Sequence, residues 1–206
     1  MVVKRELVRK LLLYIVDQLQ DMEAQVSTIR LVKLLYLIDL EYFIKHKKTL
    51  TEINWVFYHY GPYFFEVGDV LRSASIDLEA REVMTQRGKG YTYRVIDTQD
   101  ISKLVDFTTE QQINRIIKQW ALEDTQALLD FVYNTPPIKK GQRGNPIDFS
   151  LALEKRELKQ ESEIEIPVSN PMAYRLMLAS ESILAKEWDT PEEDEAWAYL
   201  SKKAKL

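Results

Sequence analysis

The chain contains few residues that could support catalysis or bind a metal ion. It has no cysteine and only two histidines, His46 in a basic stretch and His59 among aromatic residues. Neither histidine has a second histidine or a cysteine at the spacing of a common zinc site. A metal site would therefore have to be built from carboxylates that follow no motif, and we predict none.

Sequence motifs for nucleophilic or nucleotide chemistry are equally absent from the 206 residues. There is no G-x-S-x-G nucleophile elbow, no P-loop and no dinucleotide-binding glycine pattern. The Gly-Lys-Gly sequence at 88–90 is too short to enclose a phosphate and is more typical of a hairpin turn. Carboxylate pairs such as Asp39 with Glu41, or Glu192 with Glu193, are more typical of solvated charges or helix caps. We therefore predict a protein that is not an enzyme and uses no cofactor.

The composition is that of a folded protein, with 46% apolar and 11% aromatic residues. The absence of cysteine fits a reducing compartment. The first residues form a charged, amphipathic segment unlike a signal peptide, and no run of about 18 apolar residues predicts a membrane span. We expect a cytoplasmic protein that does not contact the membrane.

The charge is unevenly distributed along the chain. Residues 1–150 carry 20 basic and 20 acidic side chains, whereas residues 151–206 carry 8 basic and 12 acidic ones. The net charge of −4 therefore belongs to the last quarter of the sequence. A neutral body is a poor DNA binder by bulk electrostatics, and an acidic tail suits a basic partner.

The first half of the chain predicts two helices and a strand. Apolar spacing indicates a helix over residues 3–20, and Ser27 is the expected N-cap of a second helix that ends near His46. This second helix is apolar around most of its circumference, so we place it at the centre of the fold. Residues 54–60 are aromatic and β-branched and predict a strand that Gly61-Pro62 ends.

The next predicted elements are a helix over 63–73 and a β-hairpin of strands 82–86 and 91–96 with a turn at 87–90. Two helices are predicted after the hairpin. The first begins with a capping box of Thr108 and Gln111 and ends at Leu122, and the second runs from Asp124 to Tyr133, where Pro136 and Pro137 end it. Together they predict a mainly α (α+β) fold, in which a helical domain carries a small strand and hairpin component and a C-terminal helical extension.

Polar, glycine-containing sequence after residue 138 and a dense charge run at 154–165 predict a linker, with a short helix at 151–159. We therefore divide the chain into a helical domain over 1–138, a charged linker over 139–170 and a C-terminal segment over 171–206. The last helix of that segment is expected to begin with a capping box from Thr190 to Glu193.

Two separated motifs resemble the Panacea domain, the SocA-like antitoxin domain that also occurs in phage-associated proteins. The matching residues are Lys33, Leu34, Leu35 and Tyr36 in a helix and, after an aromatic strand, Tyr60, Gly61 and Pro62. Family members often have valine where this chain has Tyr63. The resemblance covers about residues 5–135 and implies a mostly helical domain that neutralises toxins, with a role in phage defence. Since periodic aromatic residues usually pack inward, we also expect Tyr58 and Tyr60 in the core.

The C-terminal segment carries a second resemblance, to the ends of many small bacterial antitoxins. The run from Trp188 to Trp197 contains the matching Pro-Glu-Glu-Asp-Glu-Ala-Trp sequence. Such ends usually wrap a toxin and fold on contact with it, and the resemblance implies a toxin partner that is a ribonuclease. The residues expected to bind the toxin are apolar anchors and the acidic side chains between them, namely Ile183, Leu184, Trp188, Glu193, Asp194, Trp197 and Leu200.

The sequence leaves two other functions open. A winged-helix-like regulator that binds operator DNA would use the hairpin at 82–96, with Arg87 and Lys89 at its tip. This role is compatible with the first, because antitoxins often repress their own promoters. An adaptor that delivers its partner to a protease is also compatible with the Panacea resemblance.

Overall fold

The computed structural model describes residues 2–85, 88–97 and 99–153. These residues form six α-helices, one 3-10 helix and two antiparallel sheets of two strands each. The elements are α1 (Val2–Asp21), α2 (Thr28–His46), β1 (Val56–Tyr58), β2 (Gly61–Tyr63), α3 (Val67–Ser73), β3 (Leu78–Thr85), β4 (Gly88–Val95), α4 (Phe107–Trp120), α5 (Thr125–Tyr133), α6 (Pro136–Lys139) and the 3-10 helix Phe149–Ala152. The predicted mainly α class with a small β component is confirmed.

Helix α2 is the central element of the described residues. Ser27 caps its N-terminus, where the Ser27 hydroxyl oxygen accepts a hydrogen bond from the Arg30 backbone N–H at 3.3 Å. Every residue from 30 to 40 is buried, and α1, α4, α5 and both hairpins contact the helix. A helix that is buried on all sides needs apolar residues around its whole circumference, which is the pattern that predicted its central position.

The first hairpin differs from the predicted single strand. Strand β1 ends at Tyr58, the chain turns at His59 and Tyr60, and Gly61–Tyr63 returns as β2, with Phe57 opposite Pro62. Gly61-Pro62 therefore continues the structure as a strand, and the helix predicted over 63–73 begins only at Val67. Proline is tolerated in β2 because this short strand belongs to a two-stranded sheet and needs no full ladder of N–H donors.

Gly61 permits the turn from β1 into β2 because its φ is +89°, a backbone conformation that residues with a Cβ atom rarely adopt. We expect Gly61→Ala to lower the free energy of unfolding by about 1–2 kcal/mol. A matched control is Gly68→Ala in α3, where the new methyl group would meet the flexible, exposed Arg72 side chain and alanine favours the helix. In urea denaturation, the midpoint should therefore fall for Gly61→Ala and should not fall for Gly68→Ala. Equal midpoints would show that Gly61 is not needed for its conformation.

The second hairpin is confirmed and is longer than predicted. Strands β3 and β4 pair from Leu78 with Val95 to Thr85 with Gly88. The predicted turn at 87–90 is displaced, because residues 88–90 already belong to β4. Residues 86 and 87, which connect the strands, lie outside the described residues, and Arg87 of the predicted wing tip is one of them.

One predicted helix boundary in the second half is wrong, whereas α5 has Asp124 as its N-cap and ends at Tyr133, as predicted. Helix α4 begins with Asp106 as N-cap, whose carboxylate accepts hydrogen bonds from the Thr109 backbone N–H at 3.0 Å and from the Thr109 hydroxyl at 2.9 Å. The predicted capping box of Thr108 and Gln111 is not formed, because both positions already lie inside the helix. Pro136 and Pro137 begin α6, since the first turn of a helix requires no N–H donor.

Residues 139–153, the predicted start of the linker, pack on the helical body. Backbone hydrogen bonds join Gly144 N to Phe57 O at 2.7 Å, Phe57 N to Asn145 O at 3.0 Å and Ile147 N to Trp55 O at 2.9 Å. Phe149 is buried, and its ring centroid lies 5.7 Å from that of Tyr36. The rest of the predicted linker, most of the helix predicted over 151–159 and the whole segment 171–206 with its Thr190 capping box lie outside the described residues.

Candidate functional site

Four polar side chains are buried along α2, and each connects the helix to a different part of the body. They are Arg30, Lys33, Tyr36 and Asp39. A buried polar group is costly unless it is hydrogen-bonded, so their partners determine what these residues do. Two of them, Lys33 and Tyr36, belong to the Panacea-like motif.

Lys33 holds the first hairpin against α2. Its Nζ donates a hydrogen bond to the Pro62 backbone carbonyl at 2.9 Å. Burial lowers the pKa of Lys33 to about 7, because the ammonium form is poorly solvated in this position. The two separated halves of the motif are therefore brought together by a direct contact between Lys33 and Pro62.

Asp39 fixes the segment that leads into β1. Its carboxylate accepts hydrogen bonds from the Thr51 backbone N–H at 2.9 Å, from the Trp55 indole N–H at 2.8 Å and from the Thr51 hydroxyl. Burial raises the pKa of Asp39, and these donors act in the opposite direction by stabilising the carboxylate. Asp39 therefore holds this segment from inside the core. The prediction that Asp39, like Glu41, is a solvated charge or a helix cap is wrong.

Arg30 and Tyr36 connect α2 to the later helices. The Arg30 guanidinium donates hydrogen bonds to the backbone carbonyls of Trp120 at 2.6 Å and Ala121 at 2.9 Å, where α4 ends and its carbonyls lack helical partners. The Tyr36 hydroxyl lies 2.9 Å from the Thr135 hydroxyl at the start of α6. The buried polar residues of α2 therefore position the surface elements.

The motif residues divide between the core and the surface. Leu34, Leu35 and Tyr36 are fully buried, as expected. The expectation that Tyr60 is in the core is wrong, because Tyr60 lies in the hairpin turn and is 53% exposed, and Tyr58 is only partly buried. A turn residue has no neighbouring strand or helix to cover it, so an aromatic pattern alone does not place it inside.

Sequence reasoning identified Lys33, Tyr36 and Pro62 as motif residues, but not the Lys33–Pro62 contact or the Thr135 partner of Tyr36. It also missed the roles of Arg30 and Asp39. One signal was available for these two charged residues. They lie within a helix that is apolar on all sides, so the pattern that buries the helix also buries them. The partners of Arg30 lie 90 or more positions later in the chain, and those of Asp39 lie in the segment before β1, 12 and 16 positions later. No helical pattern marks either set.

The first hairpin and the residues after it carry a group of aromatic side chains, which we call the aromatic surface: Tyr60 and Phe65, which are more than half exposed, and Tyr58 and Tyr63, which are partly buried. Ring centroids lie 5.5 Å apart for Tyr58 and Phe65, 5.8 Å for Tyr63 and Phe65, and 6.1 Å for Tyr58 and Tyr63. Phe65 is 56% exposed. The structure thus presents aromatic rings to solvent on a hairpin that is held from behind by Lys33.

The residues predicted to bind the toxin lie outside the described residues, and the structure does not place them relative to the motif. They are Ile183, Leu184, Trp188, Glu193, Asp194, Trp197 and Leu200. Within residues 2–153, apart from the positions left undescribed, no three histidine or acidic side chains form a group that could hold a metal ion. In the same part of the chain, no helix combines the length and apolar character needed to cross a membrane.

Comparison with known proteins identifies the family. The sequence model for "Antitoxin SocA-like, Panacea domain" matches residues 31–137, slightly more than half of the 206-residue chain. The matched range contains α2 from its second turn onward, both hairpins and helices α3 to α5, so it includes the Lys33–Pro62 contact. No curated protein and no solved structure matches the chain. The residues that position the first hairpin thus lie in the matched part, and the chain belongs to the SocA-like antitoxin family with a Panacea domain.

Proposed function

We propose that this chain is a cytoplasmic antitoxin that neutralises its cognate toxin by direct protein–protein contact, mainly through residues 171–206. The observation that carries the proposal is its membership of the SocA-like antitoxin family. The body contributes a rigid helical domain, in which buried hydrogen bonds from α2 fix the outer elements. The partner in this proposal is a toxin with a basic surface, such as a ribonuclease.

The composition of the C-terminal segment supports its assignment to toxin contact. Between residues 181 and 195 there are seven acidic side chains and one basic one, and tryptophans occur at 188 and 197. Tryptophan is frequent among the residues that dominate binding energy, and acidic groups accelerate association with a basic surface. Ordering such a segment costs about 2–5 kcal/mol, so binding requires several anchors together.

We expect Trp188→Ala and Trp197→Ala each to weaken binding of the toxin by about 2 kcal/mol, which is roughly 30-fold in Kd. The toxin to use is the product of the neighbouring reading frame. Calorimetry on the full chain measures the affinity, and growth of cells that produce the toxin measures protection. A variant with Lys202→Ala and Lys203→Ala is the matched control, since it changes the same segment outside the predicted contacts.

The possible outcomes separate the parts of the proposal. Full protection by both tryptophan variants would show that the C-terminal segment does not make the main contact. Absence of any complex with the toxin would overturn the antitoxin proposal itself. Faster degradation of the toxin when this chain is present would indicate a proteolytic adaptor. Salt-sensitive retardation of upstream DNA would indicate the DNA-binding regulator.

A further inference from the structure

We infer that the outer edge of β3 pairs with the same edge of a second copy of this chain. The two second hairpins would then form one continuous antiparallel sheet around a two-fold axis. The pairing is centred on Ala80, because opposite charges and exposed apolar side chains lie at equal distances before and after it. This inference goes beyond the proposed function and does not depend on it, since no toxin takes part in the contact.

Strand β3 has one uncovered edge along its 8 residues. It pairs with β4 on one side, and among the described residues no other segment forms a backbone hydrogen bond with it. The outer edge of β4 is different, because Ser27 forms an antiparallel bridge with Thr92 there. An uncovered strand edge is a template on which another strand can pair.

The hydrogen bonds of the hairpin show which groups of β3 face outward. In an antiparallel pair, residues bonded to the partner strand alternate with residues whose N–H and C=O point away. The Ile96 N–H donates to the Asp77 carbonyl at 3.1 Å, so Ala80, three positions after Asp77, belongs to the outward-facing set. Tyr93, opposite Ala80, agrees with this, since its N–H points away from β3 and donates to the Val26 carbonyl at 3.2 Å.

The charges on β3 are complementary to themselves when two copies pair around Ala80. Glu79 and Arg81 flank Ala80 and share the other face of the strand, where both are exposed and neither has an ion pair among the described residues. Antiparallel pairing centred on Ala80 places Glu79 of each copy opposite Arg81 of the other. Opposite charges at such directly facing positions stabilise a strand pair.

The same charges exclude the neighbouring registers. A pairing that keeps the outward-facing groups in phase can move its centre by one position, to residue 79 or to residue 81. The first places Glu79 opposite Glu79 of the second copy, and the second places Arg81 opposite Arg81. Like charges that face each other directly destabilise a strand pair, so the register centred on Ala80 is favoured over both.

Two exposed apolar side chains lie symmetrically about the same centre. Ile76 and Met84 lie four positions before and four positions after Ala80, and they are 82% and 77% exposed. Antiparallel pairing brings Met84 of each copy beside Ile76 of the other. The two contacts remove apolar surface from water at both ends of the paired strands, which adds to the affinity.

The test measures dimerisation of the full chain, without toxin, by sedimentation equilibrium over a series of concentrations. Glu79→Arg and Arg81→Glu each place like charges opposite one another twice in the symmetric contact. We expect each variant alone to dimerise at least about 10-fold more weakly than the unmodified chain. An equimolar mixture of the two variants should dimerise again, because each arginine then faces a glutamate. Lys118→Glu, at an exposed position of α4, is the matched control and should dimerise like the unmodified chain.

A second measurement uses the outward-facing N–H group of Ala80. Its exchange with deuterium should slow as the concentration of the unmodified chain rises, because pairing gives this donor an acceptor on the second copy. Exchange that is independent of concentration would contradict the pairing. This result does not require any variant to fold.

Other results would also overturn the inference. An unmodified chain that remains monomeric does not pair through β3, and if the toxin then slows exchange at Ala80, the edge accepts a strand of the toxin instead. A dimer that Glu79→Arg leaves intact is formed by another surface. Failure of the mixed variants to regain the dimer, with both still folded in urea denaturation, would show that the two charges do not face each other. None of these results bears on toxin neutralisation, which the tryptophan variants test separately.

Discussion

Asp39→Ala is expected to lower the free energy of unfolding by about 4 kcal/mol, a large part of the stability of a domain of this size. The Asp39 carboxylate is fully buried and accepts hydrogen bonds from Thr51 and Trp55. Alanine would leave the Thr51 N–H, the Thr51 hydroxyl and the Trp55 indole N–H without an acceptor in the core. Each buried donor that loses its acceptor costs about 1–3 kcal/mol, and the carboxylate also leaves a cavity.

Urea denaturation followed by circular dichroism measures this effect. Asp97→Ala is the matched control, because Asp97 is an exposed aspartate whose removal should change stability by no more than about 0.5 kcal/mol. The free energy of unfolding of Asp39→Asn should lie between those of the two alanine variants. Its amide oxygen can accept a hydrogen bond from one donor, whereas its NH₂ group faces another donor. A midpoint for Asp39→Ala equal to that of the unmodified chain would show that these hydrogen bonds do not hold the segment before β1.

Lys33 is expected to make the stability depend strongly on pH above neutrality. Burial lowers the pKa of Lys33 from 10.5 to about 7 in the folded chain. Between these two values the unfolded chain holds a proton that the folded chain has released, so the free energy of unfolding rises with pH. The rise amounts to about 3 kcal/mol between pH 6.5 and 9.5. Below pH 7 both states are protonated, and the folded chain bears the full cost of the buried ammonium.

The comparison that isolates this effect is Lys33→Met, which keeps a long, flexible side chain and removes the titration. The methionine variant should gain most relative to the unmodified chain at pH 6.5, and its advantage should shrink by about 3 kcal/mol at pH 9.5. Several tyrosines that are buried or partly buried, including Tyr36 and Tyr63, have raised pKa values that lower stability near pH 10 and above, but both chains contain them. Lys118→Met, at an exposed position, is the control. Parallel pH profiles for the unmodified chain and Lys33→Met would contradict the prediction.

Helix α2 was predictable because the signals that form it are local. For α2, the Ser27 cap and the apolar sequence that follows are both near neighbours along the chain, and the structure begins and ends the helix where they indicate. The first hairpin was not predictable in the same way. Gly61-Pro62 is a typical chain break, and it becomes a strand here because Pro62 faces Phe57 and its carbonyl binds Lys33.

The same physical reason explains why residues 139–153 pack on the body and why the aromatic surface was not predicted. The sequence of residues 144–147 is that of a polar loop. Their backbone nevertheless forms hydrogen bonds with the backbone of Trp55 and Phe57, about ninety positions earlier. Aromatic residues at 58–65 predict a core by composition, whereas a turn and a two-stranded sheet leave some of them at the surface. The motif that indicated the family consists mainly of buried scaffold residues such as Lys33, and Tyr60 is its largely exposed member.

The long-range hydrogen bonds of α2 have a consequence for the synthesis of the protein. The partner of Arg30 at Trp120 is 90 positions later in the chain, and the partner of Tyr36 at Thr135 is 99 positions later. At about 5–20 residues per second, a ribosome needs roughly 5–20 s to proceed from Tyr36 to Thr135. During that interval the central helix α2 is already made, and the elements from the second half of the body that pack on it are not yet complete. The body therefore closes late in translation, and a nascent chain released before Thr135 would be a target for chaperones and proteases instead of a smaller working domain.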